Sequence, residues 1–287
     1  ADEPRPGTIT PTERMTRPRL KAAHDDVVKL KASRHDVPPL NGLHDYRAIL
    51  HAHAEDSAHT GGTRPEMLAD AKSVGVDAIL LSNHFRPPVD YMTQSWRGVR
   101  DGVLFVPGSE WRGFLILPMR SIFTKMEKSA PEFISAVRED GGLIFLSHVE
   151  ERPEHSMENL DGLEIYNRHY DLKKDNAGIV VIFLKLTDPE ALEEFTRNLK
   201  EFPDEILAAQ VTRADVYLSK WDRETKTRRL TGVAANDCHH NEILIVKMVD
   251  PETVLVGTNV DRDDQMRKFN ATLRPGIREM TRGHNPG

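Results

Sequence analysis

Histidines and carboxylates follow a series of apolar runs in this chain, at the points where predicted strands end. His51 and His53 follow the run at 49–50, and the same placement recurs at His84, Glu110, His148, Asp237 and His239. In a parallel α/β fold the C-terminal ends of the strands meet at one rim, where active sites form. Imidazole and carboxylate groups also ligate divalent metals. The sequence therefore predicts one metal cluster built from five strand ends.

The spacing within two of these motifs supports the same chemistry. Residues i and i+2 of a strand face the same side, so the imidazoles of His51-Ala-His53 can reach one ion. Asp237-Cys238-His239 repeats this spacing with mixed ligands, and Cys238 should point away from the ion. Glu110 adds a carboxylate, which can bridge two divalent ions. A shell of His and carboxylate groups suits Zn, Mn or Fe.

Composition excludes several other classes of protein. The 287-residue chain has 13 His but only one Cys, which excludes an internal disulfide and a Cys-rich zinc site. With 39 Lys and Arg against 45 Asp and Glu, the net charge of −6 argues against nucleic acid as the main partner. No apolar run is long enough to predict a membrane span. The oligomeric state is left open.

Alternating strand and helix patterns over about 200 residues predict an α/β fold with a mostly parallel sheet, either a barrel or a doubly wound sheet. We expect three regions. Residues 1–40 form an extended arm, over 1–18, and a short helix, and residues 41–250 form the catalytic domain. Residues 251–287 form a less packed C-terminal segment, which is either truncated or packed on the catalytic domain. Helix starts are predicted at Thr63, Ser129 and Asp188, each of which is followed closely by proline.

The first residues, Ala-Asp-Glu-Pro, allow two interpretations. One is the mature start of an exported protein after removal of a signal peptide, and the other is a shortened cytosolic chain. We expect export, to the periplasm or outside the cell.

The order and spacing of the motifs resemble the PHP superfamily, named for polymerases and histidinol phosphatases. The resemblance covers about residues 45–245, and it departs from the usual pattern at Asn83, where Asp is common, and at Val149, where Pro is common. Its motifs are Leu50-His-Ala-His53, Ser82-Asn-His84, Gly108-Ser-Glu110, Ser147-His148 and Asn236-Asp-Cys-His239.

This resemblance implies a distorted (β/α)7 TIM-like barrel that holds two or three divalent ions at the strand ends. It also implies hydrolysis of a small phosphorylated substrate, with a hydroxide between the ions attacking the phosphate ester. His59 becomes a ligand on this basis, and Asp56 competes with it. The implied metal ligands are His51, His53, His59, His84, Glu110, His148, Asp237 and His239.

Further residues receive roles around this centre. Glu110 and Asp237 are the catalytic carboxylates, and His240 is a candidate proton donor to the leaving group. His169 is a candidate for substrate binding or for an additional metal ligand. Guanidinium groups bind phosphate in a bidentate manner, which suits Arg86, Arg112 and Arg168, although each can equally form a surface ion pair.

Two rival functions fit parts of the pattern. An amidohydrolase-like enzyme also has a barrel, an HxH strand and a late Asp, and Lys185 would then be its carboxylated bridging lysine. A PHP-like domain can also be a binding module without catalysis. Glu110 and the Asp237/His239 pair favour the phosphoesterase over both.

Overall fold

The computed structural model describes residues 9–57, 60–174, 188–240, 244–250 and 253–270. The chain divides into two compact units. One, the helical unit, takes its described residues from 9–43, 171–174 and 188–213. The other, the sheet unit, takes them from 44–170 and 214–270. All the candidate metal ligands that the structure describes belong to the sheet unit.

The helices begin at proline and at capping residues. Thr63 caps its helix with a reciprocal hydrogen-bond pair to Glu66, and Gly75 ends this helix with a φ of 70°. The helix starts predicted at Thr63, Ser129 and Asp188 are therefore confirmed. The described helices are α1 Pro11–Arg14, α2 Arg17–Ala32, α3 Arg64–Val74, α4 Tyr91–Gln94, α5 Ala130–Glu139, α6 Arg168–Lys174, α7 Pro189–Glu201, α8 Pro203–Ala209 and α9 Asp215–Glu224.

The extended arm expected over residues 1–18 is wrong for the part that the structure describes. Thr10 caps α1, and α2 already begins at Arg17. Pro11 and Pro18 lie in the first turns of these helices, where the missing N–H has no intrahelical partner to lose. The prolines therefore begin helices here instead of holding the chain extended.

The described strands form a four-stranded, a six-stranded and a three-stranded sheet, with orders β1-β2-β5-β4, β10-β9-β8-β7-β6-β3 and β11-β12-β13. The α/β class with parallel pairing is confirmed, since β1, β2 and β5 pair in parallel, as do β8, β9 and β10. The strands are β1 Ala48–Ala52, β2 Ala78–Leu81, β3 Asn83–His84, β4 Gly98–Arg100, β5 Val103–Val106, β6 Ser109–Trp111, β7 Phe114–Leu117, β8 Leu143–Leu146, β9 Gly162–Asn167, β10 Thr231–Ala235, β11 Leu244–Asp250, β12 Thr253–Thr258 and β13 Arg267–Asn270.

Two features qualify the expected barrel with a mostly parallel sheet. Strand β7 is antiparallel to both of its neighbours, β6 and β8. Within the described residues the strands form separate sheets and no closed barrel. A parallel bridge nevertheless joins Ala52, at the end of β1, to Cys238, beyond β10. Beyond residue 250, the segment expected to be less packed contributes β12 and β13 to an antiparallel sheet.

Buried apolar side chains fix the strands that lead to the candidate ligands. Ile79, Leu81 and Phe105 lie in one cluster, and Leu146 and Leu163 lie in another with α5 and α9. Burial of one such side chain contributes about 1.5–3 kcal/mol, so the ends of these strands are held firmly. Polar residues one or two positions further along are positioned by this packing. None of the described helices has the length and apolar character to cross a bilayer.

Candidate metal centre

The predicted ligands converge from distant parts of the chain into two neighbouring groups. In each group the potential ligand atoms lie within 4.8 Å of one another. The first, called here the imidazole group, comprises His53, His84 and His239; the second, called the mixed group, comprises His51, Glu110, His148 and Asp237. His59 lies outside the described residues. The grouping differs from the expected pairing of His51 with His53, although the Nε2 atoms of these two residues are only 3.1 Å apart.

Glu110 faces both groups with different oxygens. Its Oε1 atom lies 3.0 Å from His148 Nε2 and accepts a hydrogen bond from the Ser147 hydroxyl at 3.1 Å. Its Oε2 atom lies 3.4 Å from His51 Nε2 and 3.6 Å from His53 Nε2. This is the arrangement that a carboxylate needs to bridge two cations.

Asp237 lies between the groups in the same way. Its Oδ1 atom is 3.1 Å from His51 Nε2 and 3.2 Å from His53 Nε2, and its Oδ2 atom is 3.4 Å from His148 Nε2. Asp237 has a φ of 53°, in the left-handed region. Although its Oδ1 atom is buried, it accepts no hydrogen bond of normal geometry. A buried carboxylate oxygen that faces two imidazole nitrogens without a well-aligned hydrogen bond fits a cation ligand.

The surroundings of the imidazoles present their Nε2 atoms to the centre. An acceptor lies close to Nδ1 of each of three rings: Glu164 Oε1 at 2.5 Å from His51, Ser57 Oγ at 3.2 Å from His53, and the Asp237 carbonyl at 3.0 Å from His239. Each of these rings can therefore keep its proton on Nδ1 and leave the Nε2 lone pair available. Metal-binding histidines are held in this manner.

Facing nitrogens give a second test of whether the residues fit a metal. His51 Nε2 and His53 Nε2 are 3.1 Å apart, and His84 Nε2 and His239 Nε2 are 3.5 Å apart. Two lone pairs pointed at each other repel unless a proton or a metal ion lies with them. The donor set of imidazoles and carboxylates therefore fits divalent ions.

Burial and charge shift the pKa values within the centre. Burial lowers the pKa of His53 to about 3, so this imidazole is neutral. Burial opposes protonation of His148 as well, but the carboxylates of Glu110 and Glu150 outweigh it and raise the pKa of His148 to about 10. Burial alone would raise the pKa values of Glu110 and Asp237, yet neighbouring imidazoles hold both well below their usual range. Both carboxylates are thus anionic at neutral pH.

A cavity of about 280 Å³ opens onto the centre. Arg112 is exposed on its wall, where its guanidinium donates to the Lys128 carbonyl at 2.6 Å and lies 5.5 Å from the Trp111 ring. His169 also lines the cavity, with its Nδ1 atom 3.3 Å from Asp237 Oδ2. The full lining is His84, Glu110, Trp111, Arg112, Gly113, His148, Glu151, Arg152 and His169.

The other predicted substrate and catalytic residues are placed differently. Arg86 is exposed, and Arg168 is the first residue of α6; neither belongs to the described lining of the cavity. His240 is exposed with a φ of 49°, and its side chain lies next to Gly62 outside that lining. Asp56, the competing ligand, instead forms an ion pair with Arg64 and accepts a hydrogen bond from Asn83 Nδ2.

Sequence reasoning missed the buried groups behind the ligands. Glu164 is fully buried beside His51, and Glu150 lies 3.4 Å from His148 Nδ1 and accepts a hydrogen bond from Tyr217. It also missed Arg152 on the cavity wall. For Glu164 a signal was present, because a glutamate inside an apolar strand is unusual unless it is paired.

Comparison with known proteins does not assign this chain to a family. No family model matches the sequence, and no curated protein gives a significant match. Among solved structures, a two-domain protein from Bacteroides vulgatus ATCC 8482 that contains a predicted PHP-like metal-dependent phosphoesterase is similar over 82% of this chain and 68% of its own. The identity is 14% and the TM-score 0.41, so this likeness carries no weight for function. Support for a function comes from the geometry of the two ligand groups.

Proposed function

We propose that this protein is a metal-dependent phosphoesterase that holds two divalent ions, either Zn, Mn or Fe. The observation that carries the proposal is the position of Glu110 and Asp237, each of which turns one oxygen to His53 of the imidazole group and the other to His148 of the mixed group. Centres with two ions and shared carboxylates are typical of enzymes that hydrolyse phosphate esters. A third ion, and His59 as a ligand, stay predictions.

The residues of the imidazole and mixed groups would hold the ions. Bound divalent ions supply positive charge that lowers the pKa of a water molecule and neutralises the nonbridging oxygens of the phosphate. Glu110 and Asp237 are anionic before any ion binds, because their pKa values lie below the usual range. They therefore offset the charge that the ions bring into this buried place.

Residues on the cavity wall would bind and orient the substrate. Arg112 offers a guanidinium to phosphate oxygens from a position anchored by the Lys128 carbonyl. The indole N–H of Trp111 donates to the Met126 carbonyl, and this ring, which lines the cavity, would contact an organic leaving group. His169 lines the cavity and is better placed than His240 to give the leaving group a proton. The cavity volume of about 280 Å³ suits a small phosphorylated substrate.

We also propose that the two larger sheets close into a distorted seven-stranded barrel. Only Ser82 separates β2 from β3, and only Pro107 and Gly108 separate β5 from β6, so each pair acts as one interrupted strand. The parallel bridge between Ala52 and Cys238 then links the first and last strands. The domain boundaries at residues 40 and 250 and an exported location stay predictions.

Activity of metal-reconstituted protein on paired aryl phosphate monoesters and diesters tests the proposal. We expect His51→Ala and Asp237→Ala to lose at least 100-fold in kcat/KM, since each removes a group at the centre. His35→Ala is the matched control, because His35 is exposed and belongs to neither ligand group. Wild-type rates in folded His51→Ala or Asp237→Ala protein would overturn the proposal.

The same assay separates the rival functions. Turnover of lactones or amides with no turnover of phosphate esters would favour the amidohydrolase-like enzyme. Its candidate bridge, Lys185, lies outside the described residues, whereas Glu110 has one oxygen close to His53 and the other close to His148. A binding module without catalysis would hold less than one firm ion per chain and show no turnover.

A further inference from the structure

Glu164 is an acidic side chain with no solvent exposure, in the middle of strand β9. A buried carboxylate is strongly destabilising unless donors surround both of its oxygens. A glutamate in this position therefore has to be explained by what it contacts.

Both oxygens of Glu164 are used, and they contact two different candidate ligands. Oε1 lies 2.5 Å from His51 Nδ1. Oε2 accepts hydrogen bonds from the His148 backbone N–H at 2.8 Å and from Asn167 Nδ2 at 3.1 Å. One side chain thus holds the imidazole of one ligand and the main chain of another.

Strand register explains how Glu164 reaches both. Strand β8 ends at Leu146, which pairs with Leu163 of β9. Glu164 is the next residue along β9 and therefore lies beside the turn that carries His148. That turn needs support, because His148 has a φ of 45° and a ψ of 57°, a left-handed conformation that is unfavourable for a residue other than glycine.

We propose that Glu164 is a positioning residue that sets the metal affinity of the mixed group. The inference rests on the metal centre of the proposed function and adds a residue that touches neither substrate nor ion. Oε1 keeps a proton on His51 Nδ1, so that Nε2 is left for the ion. Oε2 holds the His148 backbone in the conformation that brings its Nε2 atom to 3.0 Å from Glu110.

Position 164 needs a carboxylate because donors face both of its oxygens, and each oxygen of a carboxylate accepts hydrogen bonds. In Glu164→Gln one oxygen becomes an amide NH2 group of nearly the same shape. If the NH2 group faces His51, it opposes the Nδ1 proton and favours the tautomer in which Nε2 is blocked. If it faces His148, it opposes both the backbone N–H and the Asn167 amide. Either orientation weakens one ligand of the mixed group.

Zinc binding to metal-free Glu164→Gln protein tests the inference, with Glu205→Gln as the matched control. Glu205 is also a buried carboxylate paired with histidine, since its Oε1 atom lies 2.9 Å from His24 Nδ1, but it belongs to the helical unit. We expect Glu164→Gln to bind zinc about 10–100-fold more weakly than wild type, as is typical when the partner of a metal-binding histidine is lost. Glu205→Gln should bind zinc as wild type does.

NMR of the zinc-loaded wild type gives a readout that does not depend on any purely structural role of Glu164. We expect His51 to carry its ring proton on Nδ1, with a strongly downfield resonance from the contact with Glu164. A His51 ring protonated on Nε2 overturns the inference even if Glu164→Gln does not fold. Wild-type zinc affinity in folded Glu164→Gln protein also overturns it. Absence of zinc binding by wild type would end both proposals, whereas tight zinc binding without phosphoesterase activity would end only the proposed function.

Discussion

His84 and His239 bring their Nε2 atoms to 3.5 Å from each other, although 155 positions separate them in the chain. The ring of His53 is stacked on both, with centroid distances of 4.5 and 3.9 Å. Three imidazoles this close cannot all carry protons in a buried place, and the pKa of His53 is accordingly lowered to about 3. The imidazole group can therefore bind a cation while its rings are neutral. In metal-free protein the mixed group carries protons instead.

Metal binding should release protons from the mixed group. The carboxylates around His51 and His148 overcome burial and raise both pKa values, that of His148 to about 10. Both rings therefore carry an extra proton in metal-free protein at pH 7.5, and ligation at Nε2 must displace it. We expect release of about two protons per chain on zinc loading. Calorimetry in buffers of different ionisation enthalpy measures this number, and a value near zero would contradict the assignment.

The same shifts predict how the stability of metal-free protein depends on pH. The pKa of His148 is raised above its ordinary value of 6.5, so its stabilising contribution is complete below pH 6.5 and is lost as pH rises to about 10. The pKa of His53 is lowered, so its contribution is present above pH 6.5 and is lost as pH falls to about 3. Thermal unfolding should show a maximum near pH 6.5. A midpoint that rises steadily from pH 6.5 to 10 would contradict it.

Much of the centre could be predicted because its residues follow strands whose apolar runs are visible in the sequence. His51, His84, Glu110 and His148 are at or just beyond the ends of such runs, and folding brings them together. The division into ligand groups could not be predicted, since it depends on backbone conformations such as the left-handed φ of His148 and Asp237. Such turn conformations leave no periodic pattern of apolar residues in the sequence.

The sequence-based predictions were least successful for residue types that can take more than one structural role. Proline disfavours the interior of a helix but favours its first turn, and Pro11 and Pro18 take the second role. Glu164 was overlooked because only the fold brings His51 and the His148 backbone to it.

Asn83→Asp should destabilise the protein even though Asp is the residue expected from the PHP resemblance. Asn83 is fully buried, and its Nδ2 atom donates to Asp56 at 3.1 Å while its Oδ1 atom accepts from the Ala54 N–H. An aspartate would lose the donor and place a second carboxylate against Asp56. We expect the free energy of unfolding to fall by about 1–3 kcal/mol, measured by urea denaturation of metal-free protein. Asn41→Asp, at an exposed position, is the control and should change little.

Gly113→Ala should impair substrate binding more than stability. Gly113 has a φ of 85°, and a Cβ atom there would overlap Arg152 Nε, on the wall of the cavity. Gly102→Ala is the matched control, because Gly102 has a φ of 86° but no atom within 4 Å of the added Cβ. Both variants should lose about 1 kcal/mol of stability from the left-handed backbone, since the flexible Arg152 side chain can move aside in Gly113→Ala.

Only Gly113→Ala should then raise KM for a phosphate ester, because the displaced Arg152 changes the wall that faces the substrate while the ligands of the centre stay in place. Thermal unfolding and steady-state kinetics of the two variants, measured side by side with saturating metal, check this prediction. If KM rises equally in Gly102→Ala, the effect comes from backbone strain at a distance. The contact between Gly113 and Arg152 would then have no part in binding.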